Sequence, residues 1–237
     1  MVKRLLIMDF TNFKFRCHSI GKVMTYPNKN SLSSGAKTFL GQVFKEQLYG
    51  KTNDIKSKYI DKGLLVEEEA IKMYSYEKGV GYEKNLNRFE NEYLSGEPDI
   101  IDEREGFLLD IKSSWDHSTF PLTSIDVPKK EYYWQMQAYM DLTDIDRSIL
   151  AYCLVDTPDE LIHDEIRRVR SKLGLLELPE ELEDNIWDGL RFNNIDPSHR
   201  IKEFLIDKNQ EDIELMHQRI ILSREYLNNL SNLILKS

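Results

Sequence analysis

Two carboxylates and an ammonium stand at a spacing that can do chemistry: Gly96-Glu97-Pro98-Asp99, then ten residues, then Asp110-Ile111-Lys112. Asp102 to Gly106 is a good hairpin connection, so Asp99 begins one strand while Asp110 and Lys112 lie on its partner. Side chains alternate along a strand, which puts Asp110 and Lys112 on one face and Ile111 on the other. The run Phe107-Leu108-Leu109 marks that strand as central. Charges there are costly unless something compensates them. A hard divalent cation does this for the carboxylates. Mg²⁺ takes one or two carboxylates, keeps several waters and tolerates a backbone carbonyl such as that of Ile111. Lys112 beside it would orient or help deprotonate a bound water. The alternative is an ordinary polar hairpin with an Asp–Lys contact.

Two flanking segments bear on that choice. Upstream, Gly63-Leu64-Leu65-Val66-Glu67-Glu68-Glu69-Ala70-Ile71 reads as helix. On it Glu67 shares a stripe with Gly63, Ala70, Ile71 and Tyr74. A metal site would explain a carboxylate inside an apolar stripe; a solvated acidic turn is the alternative. Glu69 has Leu65, Val66, Met73 and Tyr76 around it, so periodicity prefers Glu67 to its neighbours only modestly. Downstream, in Tyr132 to Met140, Gln135 and Tyr139 are one helical turn apart and face the same way. An amide and a phenol can hydrogen-bond a metal-bound water, a carboxylate or a phosphate without adding charge. An aromatic core helix with one polar edge is the alternative there. The five histidines have no metal-ligand spacing, and no Gly-rich phosphate loop is present.

The elements that must position these groups follow from pattern. Residues 36–49 and 55–78 read as helices, the second capped by Asp54 and stopped by Gly79. Strands are expected at 86–94, 98–102 and 107–114, a helix at 129–142 and a buried strand at 148–155. Helices at 158–173 and 179–190 follow, then a strand at 199–207 and a long helix at 210–235. Residues 25–35 read as an exposed, mobile loop. This is a single α/β domain, subdivided as a basic lobe (1–54), a catalytic core (55–156), a helical insertion (157–200) and a strand plus closing helix (201–237).

Composition narrows the class. The chain has 237 residues, 41% of them hydrophobic, which excludes wholesale disorder. Two cysteines, Cys17 and Cys153, are too few for a disulfide framework and point to a reducing compartment. The apolar run of MVKRLLIMDF stops at Asp9, unlike a signal peptide, and no run is long enough to span a bilayer. Net charge is −9, yet residues 1–60 carry eleven Lys/Arg against three acids. A basic lobe on an acidic body can hold a polyanion locally; a solvated lysine-rich surface is the alternative.

Together the three chemical segments resemble the PD-(D/E)XK nuclease superfamily, and more narrowly the YqaJ and phage lambda exonuclease type of viral recombination nuclease. The likeness spans residues 55–155. It rests on Gly63 four residues before Glu67, on Pro98-Asp99, on Asp110-Ile111-Lys112 and on Gln135-Met136-Gln137. Gln135-x-x-x-Tyr139 also matches the signature of RecB-like nucleases. The acid before Lys112 is aspartate, where this exonuclease type more often has glutamate.

The resemblance implies a restriction-endonuclease-like core, a central mixed sheet flanked by helices, with a mostly helical C-terminal extension. It implies a Mg²⁺- or Mn²⁺-dependent DNA exonuclease acting from duplex ends in phage-type recombination or repair. The metal ligands would be Glu67, Asp99, Asp110 and the Ile111 carbonyl, with Lys112, Gln135 and Tyr139 completing the catalytic group. Arg16 and Ser19 are candidates for a terminal phosphate, and Ser113 and Gln137 for further substrate contact. The resemblance further implies a bacterial host cytoplasm, a phage or prophage origin, a single-strand annealing protein as candidate partner and the ring trimer of lambda-type enzymes. A sequence-specific endonuclease of the same fold and a non-catalytic DNA-binding scaffold with a degenerate site are the alternatives.

Overall fold

The computed structural model describes residues 8–52 and 57–235. Lys3, Arg4 and the expected Asp54 cap lie outside them. In chain order the elements are β1 (Phe15–Arg16), α1 (Cys17–Ile20), α2 (Ser34–Tyr49), α3 (Lys58–Leu65), α4 (Glu67–Lys78), β2 (Phe89–Glu90), β3 (Leu94–Gly96), β4 (Ile100–Asp102) and β5 (Phe107–Ser113). They continue with α5 (Lys130–Thr143), β6 (Arg147–Cys153), α6 (Asp159–Leu173), α7 (Glu180–Asp188), β7 (Ile201–Asp207) and α8 (Gln210–Leu235).

Among the described residues the strands form two sheets. The main one has the order β4-β5-β6-β7, with β5 and β6 parallel and both outer pairs antiparallel. The crossover from β5 to β6 is α5, as a parallel pair requires. The small sheet has the order β1-β3-β2. This is the mixed α/β architecture expected, with β5 central.

Alternation sorts the main sheet into two faces. Leu108, Leu150, Tyr152, Phe204 and Ile206 point into the larger core with α1, α2, α5 and α8. Leu109, Ile111, Ala151 and Cys153 point the other way, against Ala70, Ile71 and Tyr74 of α4. Residues Trp134 to Met140 are all buried, so α5 is enclosed on every side and each of its polar groups must find a partner. The chain between β6 and β7 has a separate small core, with Ile162 and Ile166 of α6 against Trp115 and Leu190.

The structure departs from the pattern reading in four places. The helix expected over 55–78 is two helices, broken at Val66 (φ −106°, ψ 9°), so Gly63 and Glu67 share no helical stripe. The strand expected at 86–94 is interrupted at 91–93, where Asn91 Oδ1 accepts from the N–H groups of Tyr93 and Leu94 and closes a turn. Residues 15–20, unassigned by pattern, form β1 and α1. The 25–35 loop is exposed but pinned: Arg219 of α8 is buried and donates to the carbonyls of Val23, Lys29 and Ser31. No helix among the described residues is long and apolar enough to cross a membrane.

Candidate active site

The site forms where β4 stops pairing with β5. The register ends at Ile100↔Leu109, so the β5 edge beyond Leu109 is open on that side. Asp99 fills it: its Oδ2 accepts the Ile111 N–H at 2.7 Å. A residue in an extended strand points its N–H and C=O to the same side, so the Ile111 carbonyl also faces the Asp99 edge. The Asp99 carbonyl in turn accepts the Asn85 N–H at 2.7 Å, and Asn85 Nδ2 donates to the Pro98 carbonyl. The loop before β2 thereby fixes the Pro-Asp step.

Asp110 is fully buried. Its Oδ1 accepts from Gln135 Nε2 at 3.2 Å, and the same amide reaches the Tyr139 hydroxyl at 3.1 Å. Its Oδ2 is ion-paired with Lys112 but makes no hydrogen bond of acceptable geometry. The Lys112 ammonium also lies over the Tyr132 ring, 5.1 Å from its centroid. Burial alone would lower the Lys112 ammonium, yet Asp110 and Asp99 hold it above its ordinary value. Asp99 moves the other way. Burial first and the Asp110 charge second push its carboxyl up to about 7, against the opposing pull of Lys112 and the Ile111 N–H.

Gly96 holds β3 tight against this group. A Cβ there would lie 2.7 Å from Cys17 Sγ and 2.8 Å from Tyr139 Cε1, so only glycine fits the approach. Cys17 and Cys153 are buried; burial pushes the first thiol far up and the second to about 12, which leaves both unreactive at neutral pH.

The expected convergence of three acids is partly formed. Glu67 is the one of its three neighbours turned inward: Glu68 is exposed and pairs with Lys72, whereas the Glu67 charge bears on Asp99. Its carboxylate is drawn off to Lys84 at 2.5 Å. Among the described residues no group of three or more His, Cys, Asp or Glu is arranged to hold a metal ion. The groups at the strand edge nevertheless fit a hard cation. Two adjacent carboxylates and a carbonyl are all oxygen donors, and the buried Asp110 Oδ2 lacks a hydrogen bond.

Other expected residues fall inside and outside this group. Arg16 is exposed at the α1 N-terminus, and Ser19 spends its hydroxyl on the Arg16 carbonyl. The adjacent His18 imidazole is pushed below its ordinary range by desolvation, then by the charges of Arg16, Lys22 and Lys112, so α1 lies within electrostatic reach of the site. Gln137 does not face substrate as expected. It is fully buried, with Nε2 donating to the Asp207 carbonyl and Oε1 accepting the Asn209 N–H, so it ties α5 to the β7–α8 turn. Ser113 ends β5 on the face of Ile111, away from Lys112. Pattern reading missed Lys84 and Tyr132 as neighbours of the site. Lys84 had no signal, and Tyr132 stood within the segment that supplied Gln135 and Tyr139.

No protein-family model matches the chain, and no curated protein matches it. Solved structures do. A phage-related exonuclease from Haemophilus somnus 129PT aligns at TM-score 0.76 and 27% identity, over 92% of this chain and 95% of its own. The alkaline exonuclease of Laribacter hongkongensis, LHK-Exo, aligns at TM-score 0.63 and 15% identity, over 94% and 92%. Its complex with dAMP aligns at 0.60 and 16%, over 93% and 91%. The fold is that of the phage-type and alkaline exonucleases, and the first comparison supports a nuclease of that type.

Proposed function

We propose that this chain is a divalent-cation-dependent DNA exonuclease that hydrolyses phosphodiester bonds from duplex ends. The observation that carries the reading is the juxtaposition of Asp99, Asp110 and Lys112 at an open strand edge, with Asp110 Oδ2 buried against the Lys112 ammonium. The phage-related exonuclease, similar over nearly its whole length, and the dAMP bound by LHK-Exo support the same substrate class.

Asp99, Asp110 and the Ile111 carbonyl would hold Mg²⁺ or Mn²⁺, with Glu67 joining on release from Lys84. The bound ion would lower the pKa of a coordinated water and offset charge developing on the phosphoryl oxygens. The chain's own residues do the rest. Gln135 fixes the Asp110 carboxylate through Oδ1, and Tyr139 fixes Gln135. The Ile111 N–H fixes Asp99. Lys112, kept protonated by the two aspartates, supplies a positive charge at the reacting phosphate and orients the attacking water. Arg16 and His18 edge the site, where an arginine suits a terminal phosphate. The phage-type recombination role, the annealing partner and the ring trimer belong to this same reading.

The test is digestion of an end-labelled linear duplex beside a covalently closed circle, each with Mg²⁺ and with EDTA. Loss of the linear substrate from its ends with Mg²⁺ only, and an intact circle, are expected. Cutting of the circle would favour an endonuclease, and an inert protein would remove the reading.

Asp99 gives a second test. Its folded pKa of about 7 lies above the ordinary 3.8. In cation-free protein its contribution to stability is therefore full below about pH 4 and lost as pH rises through 7. A cation must displace that proton. The rise in melting temperature on adding Mn²⁺ should be small at pH 5.5, large at pH 8 and absent in Asp99→Asn. An equal rise at both pH values would mean that Asp99 is no ligand.

A further inference from the structure

A groove of about 710 Å³ lies between the 21–27 loop and the start of α5, a volume in the range of sites that bind small organic molecules. Its floor is apolar, made by the buried Met24 and Trp134. Its rim is cationic and aromatic, with Lys129 and Lys130 from α5 and Tyr26 from the loop. Glu131 is the one acid among the described residues that line it. Neither lysine has a carboxylate within ion-pair distance among the described residues. Both walls are fixed. Gly21 approaches α5 so closely that a Cβ there would lie 2.6 Å from the Glu131 Cα, and Arg219 holds the loop through the carbonyls of Val23 and Lys29. Tyr26 has φ 52°, a left-handed conformation that a bulky side chain adopts only at a cost. Its side chain gains no burial in return: the residue is 66% exposed, with the Lys29 ammonium 4.9 Å from the ring centroid. Strain of this kind collects at ligand clamps. The groove also reaches the carboxylate centre. Lys112 lies 5.1 Å and Lys129 5.4 Å from the centroid of the same Tyr132 ring, so one side chain joins the two places.

We propose that this groove receives an unpaired nucleotide of the DNA strand beside the reacting phosphate, with its base against Tyr26 and the apolar floor and its phosphate on Lys129 and Lys130. The inference rests on the nuclease reading above and adds to it where the strand lies once its end has left the duplex. The lysines select an anion. The aromatic wall and apolar floor select an anion that carries a flat, unstacked base, which neither free phosphate nor the backbone of an intact duplex offers. Every base has a π face, so the groove takes any sequence, as stepwise digestion requires.

The experiment is binding of single-stranded oligo-dT to the full chain by fluorescence anisotropy in EDTA, beside an abasic strand with the same number of phosphates. Wild-type protein should prefer the dT strand. Tyr26→Ala should weaken dT binding about tenfold and leave abasic binding within about twofold, whereas Tyr26→Phe, which keeps the π face, should bind both as wild type does. Lys129→Met should weaken both strands alike and lower the slope of log affinity against log salt by roughly 0.7. Tyr26→Ala that binds dT within twofold of wild type would overturn the base site, as would equal losses on the two strands. A change in solution mass by light scattering with dT affinity unchanged would make the groove a contact between copies of the chain and would overturn it too. Wild-type protein that digests linear duplex, alongside an unaffected Tyr26→Ala, would remove the groove alone. Wild-type protein that neither binds nor cuts DNA would remove the nuclease reading, and the groove with it.

Discussion

Asp110→Asn is expected to cut nuclease activity ~10²- to 10³-fold, the order seen when one preorganised electrostatic element is removed from a site, while leaving the fold in place. The substitution is isosteric. An asparagine Oδ1 can still accept from Gln135 Nε2, so that hydrogen bond survives. The charge does not survive, and it does three things at once. It is the counter-ion of Lys112, the second cause of the raised Asp99 carboxyl and a buried oxygen available to a cation. Single-turnover digestion of end-labelled duplex at saturating Mg²⁺ measures the loss. A melting temperature within a few degrees of wild type excludes unfolding as its cause. Carboxyl NMR adds a readout independent of activity: in the variant Asp99 should titrate below its value of about 7. Activity within tenfold of wild type would move the chemistry away from Asp110.

Much of this site was legible because its geometry is local. Alternation alone puts Asp110 and Lys112 on one face of β5 and Ile111 on the other. Helical spacing alone puts Gln135 beside Tyr139, and their hydrogen bond is present. What pattern could not supply was everything set by register between distant segments. Gln137 failed as a substrate residue for that reason. Its partners, Asp207 and Asn209, are some seventy residues away in sequence, and a polar side chain satisfied from so far looks from the sequence like one waiting for a ligand. Glu67 was the inward member of its trio for a different reason than supposed: α4 begins at Glu67, so the residue stands at a helix N-terminus rather than inside a continuous stripe.

The sharpest inversion is α3, and it carries the second large effect. Leu64 and Leu65 are 72% and 53% exposed, while Lys62 between the same turns is completely buried. Its Nζ donates to the carbonyls of Trp115 at 3.0 Å and Val155 at 2.7 Å, just beyond the ends of β5 and β6. Burial pushes the ammonium down to about 7 from the ordinary 10.5, and the charges of Asp156, Asp116 and Glu69 only partly offset it. Between those two values the unfolded chain holds a proton that the folded chain has released, so stability must rise with pH across that window. At ~1.4 kcal/mol per pH unit the gain over the whole window is about 5 kcal/mol. Lys62→Met keeps the apolar stem and removes the titration, so its stability should lack this rise. Urea unfolding of both proteins from pH 7 to pH 10 isolates the effect, because every other titrating group is common to the pair. A widening advantage for wild type with pH is expected, whereas parallel curves would mean that Lys62 stays charged in the fold. The same two carbonyl contacts anchor α3 to the sheet ends, immediately before the helix that carries Glu67. Stability near pH 7 and the placement of the third acid therefore depend on one buried amine.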